Sequence, residues 1–241
     1  MKKYREIVFT FKNMLLPLIL LFLVGATSAG DACAQNSLPY DTTYTFAHYK
    51  VRRAFYEGLP NGKNEIVFLG NSITENGDWN ELFKNKNIVN RGIGGDVCFG
   101  LLDRLDEVLA SQPESIFLMI GINDIGRGVP VDVIAGKIQE ILQTIQQESS
   151  KTELYLQSVL PINEQVIWYE YMKNKSKQIV LLNEKLKTIA ANENITYLDL
   201  YASFADENGQ LLPEYTADGI HLSAEGYLHW RKVFKEEGIK L

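Results

Sequence analysis

Cysteine and histidine are scarce in this 241-residue chain, which contains two cysteines and three histidines. Cys33 lies in an N-terminal segment that we expect to be removed, which leaves Cys98 without a partner for an internal disulfide. No group of cysteines and histidines has the spacing of metal ligands. We therefore expect neither a disulfide framework nor a metal site, and we interpret Cys98 as a small buried apolar residue.

Basic residues are also fewer than acidic ones. The chain has 24 basic and 30 acidic residues, a net charge of −6. Removing residues 1–34, which carry four basic and two acidic side chains, would change the net charge from −6 to −8. Because like charges repel, this balance argues against nucleic acid or an anionic membrane surface as a partner.

A long apolar run is missing as well. The longest, Met14–Val24, is shorter than the ~20 residues that a spanning helix needs, and Pro17 interrupts it. It follows several basic residues and precedes Ala32-Cys33-Ala34, the pattern of a cleaved signal peptide. We expect a signal peptide over 1–34 and a secreted or periplasmic protein that starts at Gln35, with no stable membrane insertion.

Lipid attachment at Cys33 is the alternative, although Gly30 and Asp31 fit it poorly.

The remaining chain is interpreted as a lead-in, 35–64, followed by one domain, 65–241, large enough for a single core. The aromatic residues of the lead-in predict a short helix packed on the domain and ended by Gly58 and Pro60: they are Tyr44, Phe46, Tyr49, Phe55 and Tyr56. His48, in the same segment, is interpreted as structural.

Strand and helix patterns alternate along the domain. Buried strands are predicted at Ile66–Leu69, Ile88–Asn90, Ile116–Ile120, Leu154–Leu160 and Ile195–Leu198. Between and after them, helices are predicted at Trp79–Phe83, through Leu102, Leu105 and Leu109, through Ile134 to Ile145, through Ile179 to Ile189, and from Ala224 to Lys235. This alternation predicts an α/β fold with a parallel sheet covered on both faces.

Polar residues follow several of these strands. Ser72 comes after Gly70, where a serine near a helix N-terminus could act as a nucleophile or simply cap the helix. Asn123 follows the third strand and could also merely shape a turn. Since carboxyl ends of parallel strands share one edge, these side chains are expected to meet there.

Two further motifs complete the set. Gly92-Ile93-Gly94-Gly95-Asp96 follows the second strand, and Val97 stands where a dinucleotide-binding pattern wants glycine or alanine. A tight turn with a bare backbone N–H is the better interpretation. Asp218 precedes His221 by three residues, so its carboxylate could orient the imidazole ring. His229 falls within the last helix and is interpreted as packing or surface.

Together these blocks resemble the SGNH hydrolases, also called the GDSL esterase/lipase family. The four blocks are Gly-Asn-Ser-Ile at 70–73, Gly-Ile-Gly-Gly-Asp at 92–96, Gly-Ile-Asn-Asp at 121–124 and Asp-Gly-Ile-His at 218–221. The resemblance implies a three-layer α/β/α, flavodoxin-like fold with a five-stranded parallel sheet, and a serine esterase that needs no metal or cofactor. Asn71 and Ile73 depart from the Asp and Leu of the family name.

The resemblance also implies a role for each residue. Ser72 would be the nucleophile, His221 the general base, and Asp218 the group that orients His221. The oxyanion donors would be the backbone N–H groups of Ser72 and Gly95 and the side chain of Asn123. Gly95 is preferred to Gly94 because the family's donor glycine precedes the aspartate matched by Asp96.

The substrate is expected to be a small-molecule or glycan ester. The resemblance covers platelet-activating-factor acetylhydrolase-like enzymes and bacterial carbohydrate acetylesterases, and the acidic, secreted chain favours acetyl esters of carbohydrate. Trp168, Tyr169 and Tyr171 could form a substrate wall, although core packing of their loop would explain them equally well. The alternatives are a lipase or lysophospholipase and, in a different class, a non-catalytic glycan-binding module.

Overall fold

The computed structural model describes residues 39–241. The expected signal peptide, its cleavage site and Cys33 lie outside these residues. The sheet has five parallel strands: β1 (Ile66–Gly70), β2 (Ile88–Gly92), β3 (Ser115–Met119), β4 (Glu153–Gln157) and β5 (Thr196–Leu198). Their order across the sheet is β2-β1-β3-β4-β5.

Ten α-helices accompany the strands over these residues. They are α1 (Ala47–Glu57), α2 (Ser72–Glu75), α3 (Trp79–Phe83), α4 (Cys98–Asp103), α5 (Leu105–Leu109), α6 (Ile122–Gly126), α7 (Val131–Glu148), α8 (Ser176–Asn192), α9 (Leu200–Phe204) and α10 (Ala224–Glu236). None of the described helices combines the length and hydropathy needed to cross a membrane.

The centre of the sheet is buried on both faces. Every residue of β1 and of β3 is buried, so neither alternating set of side chains faces solvent. Phe68 of β1 stacks with Trp79 and Phe117 at ring-centroid distances of 4.2 and 5.1 Å, and Phe234 of α10 lies against the same cluster. Helices α3, α9 and α10 pack together, as do α4, α5, α7 and α8. The predicted three-layer α/β/α fold with a five-stranded parallel sheet is confirmed.

The order of the strands determines what surrounds the end of β1. The chain leaves β1 to form β2 on one side and then returns to form β3 on the other. A crevice therefore opens at the carboxyl end of β1, between the segments that follow β2 and β3. Ser72, Gly95 and Asn123 all belong to segments at this crevice.

Two predicted boundaries were wrong. The leucine pattern at 102–109 gives two helices, because Arg104 leaves helical geometry (φ −119°, ψ 14°) and its buried guanidinium donates to Asp96 Oδ2 at 2.9 Å. The fourth strand ends at Gln157 rather than Leu160. Beyond it, Val159 exchanges two 2.8 Å hydrogen bonds with the Asn183 side chain of α8, which replaces pairing in the sheet.

The lead-in forms the predicted short helix, α1, and packs on the domain. The hydroxyl of Tyr49 donates to the Gly100 carbonyl and that of Tyr56 to the Gly92 carbonyl, both at 2.7 Å. Both tyrosines are buried. These contacts tie α1 to the segment that follows β2. His48, which the sequence analysis interprets as structural, has its Nε2 2.9 Å from a carboxylate oxygen of Glu75 on α2.

Candidate active site

Ser72 is presented by a sharp change from strand to helix. Asn71 is the N-cap of α2, and its Oδ1 accepts a hydrogen bond from the Ile73 N–H at 3.1 Å. An amide oxygen can accept this bond as a carboxylate would, so Asn71 supports the turn at the position where the family name has Asp. The buried Asn71 and Ile73 on either side leave the partly exposed Ser72 at the start of the helix.

Ser72, His221 and Asp218 are connected by hydrogen bonds. Ser72 Oγ lies 2.9 Å from His221 Nε2, and His221 Nδ1 lies 2.6 Å from Asp218 Oδ2. A carboxylate beside Nδ1 favours a proton on that nitrogen, which leaves the Nε2 lone pair free to accept the serine proton. The structure thus brings together three residues that are 149 and three positions apart in sequence.

Asp218 is held by several donors. Its Oδ1 accepts hydrogen bonds from the backbone N–H groups of Ile220 and His221 at 2.9 and 2.8 Å. Its Oδ2 also accepts a longer hydrogen bond, of 3.4 Å, from the Tyr169 hydroxyl. Partial burial alone would raise the pKa of the Asp218 carboxyl, but the hydrogen bonds from the His221 ring and these backbone groups lower it below its usual value. Asp218 is therefore ionised at neutral pH.

The turn after β2 lies directly against α2. A Cβ on Gly92 would stand 2.2 Å from the Glu75 backbone nitrogen, so only glycine permits this approach. Gly95 has φ +79°, and its N–H has no acceptor within residues 39–241. The Gly94 N–H, in contrast, donates to Glu75 Oε2 at 2.6 Å. Of the two glycines, Gly95 has the N–H that is free to bind a ligand.

Asn123 lies in α6, a five-residue helix that the sequence did not predict. Its Nδ2 donates to the Asp96 carbonyl at 2.9 Å, which leaves the second amide hydrogen for another acceptor. Below this contact, Asp96 is fully buried and paired with Arg104, and burial raises its pKa to about 6 although the guanidinium opposes the shift. This pair joins the Gly95 turn to the Gly70 carbonyl, which accepts from Arg104 Nη2 at 3.1 Å.

A cavity of ≈ 560 Å³ opens beside these groups, and sites of about 300 to 1,000 Å³ are typical for small ligands. Its lining comes from four separate parts of the chain: Asp41, Thr43, Phe46, Gly95, Asn123, Gly126, Arg127 and Tyr171. The sequence reasoning missed the lead-in residues and Arg127, whose Nη2 donates to the Gly95 carbonyl at 3.0 Å and whose Nη1 donates to the Thr43 carbonyl. Arg127 follows Asn123 by one helical turn, which is the only signal that could have located it.

The three aromatic candidates occupy different positions. Tyr171 lines the cavity and is 54% exposed. Tyr169 is partly buried, with its ring edge-on to His221 at 5.9 Å. Trp168 is 74% exposed and does not line the cavity. Its backbone N–H donates to the Asp218 carbonyl at 3.1 Å. Core packing therefore does not account for Trp168 or Tyr171.

Other reactive groups lie elsewhere. Cys98 is fully buried, and burial raises the pKa of its thiol. His229 Nε2 donates to the Ser203 carbonyl at 2.9 Å, and the His229 ring stacks on Tyr215 at a centroid distance of 4.7 Å. Among residues 39–241, no three His, Cys, Asp or Glu side chains are grouped as metal ligands would be.

Several known proteins are similar to this chain in sequence or in fold. The chain is 26% identical over 170 residues to platelet-activating factor acetylhydrolase IB subunit alpha1 of Homo sapiens, covering 68% of this chain and 70% of that one. A provisionally assigned platelet activating factor from Streptococcus pneumonia is 32% identical with a TM-score of 0.73, covering 79% of this chain and 92% of the other. An acetyl-xylooligosaccharide esterase from Geobacillus Stearmophilus, 21% identical, shares the fold with a TM-score of 0.58 over 73% of this chain and 94% of the other.

The family model for the GDSL-like lipase/acylhydrolase family matches residues 68–228, more than half of the 241-residue chain. The match includes Ser72, Gly95, Asn123, Asp218 and His221. The chain belongs to the GDSL-like lipase/acylhydrolase family and is a carboxylic ester hydrolase.

Proposed function

We propose that this protein is a secreted serine esterase that removes short acyl groups, chiefly acetyl, from carbohydrate through a Ser72–His221–Asp218 triad. The observation that carries the proposal is the continuous hydrogen-bond chain from Ser72 Oγ through the His221 ring to Asp218, at 2.9 and 2.6 Å. A serine so linked to a base, with that base oriented by a carboxylate, has the geometry of an activated nucleophile.

In the proposed reaction, His221 Nε2 takes the Ser72 proton as Oγ bonds to the ester carbonyl carbon. The carbonyl oxygen becomes an oxyanion, which accepts hydrogen bonds from the N–H groups of Ser72 and Gly95 and from Asn123 Nδ2. The carbon–oxygen bond to the alcohol then breaks, and the alcohol leaves with the proton held by His221. Water, deprotonated by His221, attacks the acyl-enzyme, releases the acid and returns the proton to Ser72.

The surroundings of the cavity support a sugar as the alcohol. Phe46 and Tyr171 offer aromatic faces, while Asp41, Thr43 and Arg127 provide polar groups beside them. Apolar ring faces combined with a few fixed hydrogen-bonding groups suit a carbohydrate. The exposed ring of Trp168 could add a further wall, and the net charge of −6 disfavours an anionic lipid surface.

A lipid acylhydrolase is the second candidate, because the family description includes lipases and the human relative is named for platelet-activating factor. The two candidates differ in how activity depends on acyl length. A long aliphatic groove would add about 0.8 kcal/mol for each buried methylene, so kcat/KM would rise about fourfold per methylene.

We expect the opposite trend for this enzyme. Across p-nitrophenyl esters, kcat/KM should fall from acetyl through butyryl to octanoyl, and an acetylated xylooligosaccharide should be a better substrate than an acetylated phospholipid. Trp168→Ala should lower kcat/KM for the oligosaccharide but not for p-nitrophenyl acetate. Leu228→Ala is the control: it removes an exposed apolar side chain on α10, away from the loop of Trp168, and should leave kcat/KM for both substrates unchanged.

A steady rise towards octanoyl would overturn the carbohydrate proposal and favour the lipase. If Trp168→Ala matched wild type on both substrates, only the proposed wall would be lost. A protein that binds oligosaccharide but hydrolyses no ester would instead support the non-catalytic module.

The proposal of secretion rests on the N-terminal sequence. The full-length gene product, expressed in a Gram-negative host, should accumulate outside the cytoplasm with a mass that starts at Gln35. Intact-mass measurement checks this result. A chain that starts at a diacylglyceryl-modified Cys33 would replace the proposal with the lipoprotein alternative, and an uncleaved cytoplasmic chain would contradict both.

A further inference from the structure

Glu75 connects three separate segments beside the candidate active site. It lies on α2, three residues after Ser72, and its carboxylate accepts the Gly94 N–H at 2.6 Å. The same carboxylate lies 2.9 Å from His48 Nε2 and 2.8 Å from Arg52 Nε, both on α1. Its side chain is 17% exposed. The Glu75 side chain therefore joins α2, the turn after β2 and the lead-in helix α1.

The two glycine N–H groups of the turn differ in whether they are engaged. Glu75 takes up the Gly94 N–H, whereas the Gly95 N–H on the next peptide has no acceptor within residues 39–241, and Gly95 has φ +79°. The carbonyl of Gly95 is fixed in turn by Arg127 Nη2 at 3.0 Å. The two ends of the turn are thus held by opposite charges, one from α2 and one from the end of α6.

The lead-in reinforces this arrangement from outside the region that the family model matches, which begins at residue 68. Arg52 and His48 lie within ion-pairing distance of the Glu75 carboxylate, and the Tyr56 hydroxyl donates to the Gly92 carbonyl at the start of the turn. The Phe46 ring lies where a Cβ on Gly95 would approach it to 3.0 Å. The segment 46–56 therefore contacts the turn and Glu75 at several points.

We propose that Glu75, held by Arg52 and His48 of α1, is a positioning residue that fixes the Gly94–Gly95 turn so that the Gly95 N–H points at the developing oxyanion. The inference rests on the proposed esterase function, because it assigns a cause to the position of one oxyanion donor. It also gives the lead-in helix a catalytic purpose besides packing. Glu75 acts through Gly95 and does not itself touch the substrate.

The effect of removing Glu75 should appear in the chemical step. Loss of an oxyanion donor typically lowers kcat by about 100- to 1000-fold, and a donor that is displaced rather than lost should cost less. Glu75→Ala is expected to lower kcat for p-nitrophenyl acetate by about 10- to 100-fold with KM changed less than about threefold. The inhibition constant of a boronic acid, which forms a tetrahedral adduct on serine, should rise in parallel.

Conservative and neighbouring variants separate positioning from a merely structural role. Glu75→Gln keeps one acceptor oxygen at the same reach and should recover most of the lost kcat and boronate affinity. Arg52→Ala should lower kcat by a smaller factor. Arg53→Ala is the matched control on the same helix, because Arg53 pairs with Glu57 and Asp103 rather than with Glu75, and it should behave as wild type.

The proposal is overturned if Glu75→Ala folds and keeps wild-type kcat and boronate affinity. Where the Glu75→Ala variant does not fold, the proposal is overturned if Arg52→Ala loses no more activity than Arg53→Ala. An inactive wild-type enzyme, or an active Ser72→Ala variant, would instead contradict the proposed function itself.

Discussion

Ser72→Ala is expected to lower kcat/KM for p-nitrophenyl acetate by a factor on the order of 10⁴ to 10⁶, while the thermal unfolding midpoint stays close to that of wild type. The loss follows because the acyl-enzyme cannot form without Oγ, whereas oxyanion donors and substrate binding remain. Stability should change little, because Ser72 is only partly buried and the cap of α2 is provided by Asn71. Initial-rate kinetics and a thermal melt test both statements.

Ser203→Ala is the matched control. Ser203 lies within α9, where alanine is a good helix former, and no hydrogen bond of its hydroxyl occurs among the described residues. Full activity in Ser203→Ala together with loss in Ser72→Ala would tie the effect to the site. Near-normal turnover by a folded Ser72→Ala protein would exclude Ser72 as the nucleophile.

Asp218→Asn is the second large effect, with kcat expected to fall about 10⁴-fold. The N–H groups of Ile220 and His221 already donate to Asp218 Oδ1, so an asparagine would keep its oxygen there and turn its amide towards His221 Nδ1. Two donors cannot share that contact, and the ring would move its proton to Nε2. A protonated Nε2 faces Ser72 Oγ and can no longer accept the serine proton.

Asp199→Asn provides the control for this substitution. Asp199 caps α9 by accepting the Ala202 N–H at 3.3 Å, and an asparagine can accept the same bond. Steady-state kinetics should therefore show wild-type values for Asp199→Asn. An Asp218→Asn enzyme within about tenfold of wild-type kcat would show that the carboxylate is not needed to orient His221.

Much of the site could be predicted because it depends on strand ends. A buried apolar strand followed by a polar residue can be recognised from local sequence, and parallel strands bring their carboxyl ends to one edge. Ser72, Gly95 and Asn123 were located in this way, in combination with the family resemblance. Their placement on both sides of the crevice follows from the strand order β2-β1-β3.

The features that were missed depend on contacts between distant residues. Nothing in the leucine spacing of 102–109 shows that Arg104 turns inward to pair with Asp96, which breaks the helix. His48 and Glu75 are 27 positions apart, and neither has a neighbour in sequence that marks their contact. The cavity is similar, since its lining joins the lead-in, α6 and the loop around Tyr171. Such pairs have no periodicity or motif of their own.

Covalent labelling with a fluorophosphonate tests the central claim most directly. Ser72 Oγ should bond to phosphorus with loss of fluoride, and intact-mass and peptide analysis of the active enzyme should show one adduct, on Ser72. Asp218→Asn should label far more slowly, and Ser72→Ala should not label at all. An active enzyme that remains unlabelled, or that carries its single adduct on another residue, would contradict the account.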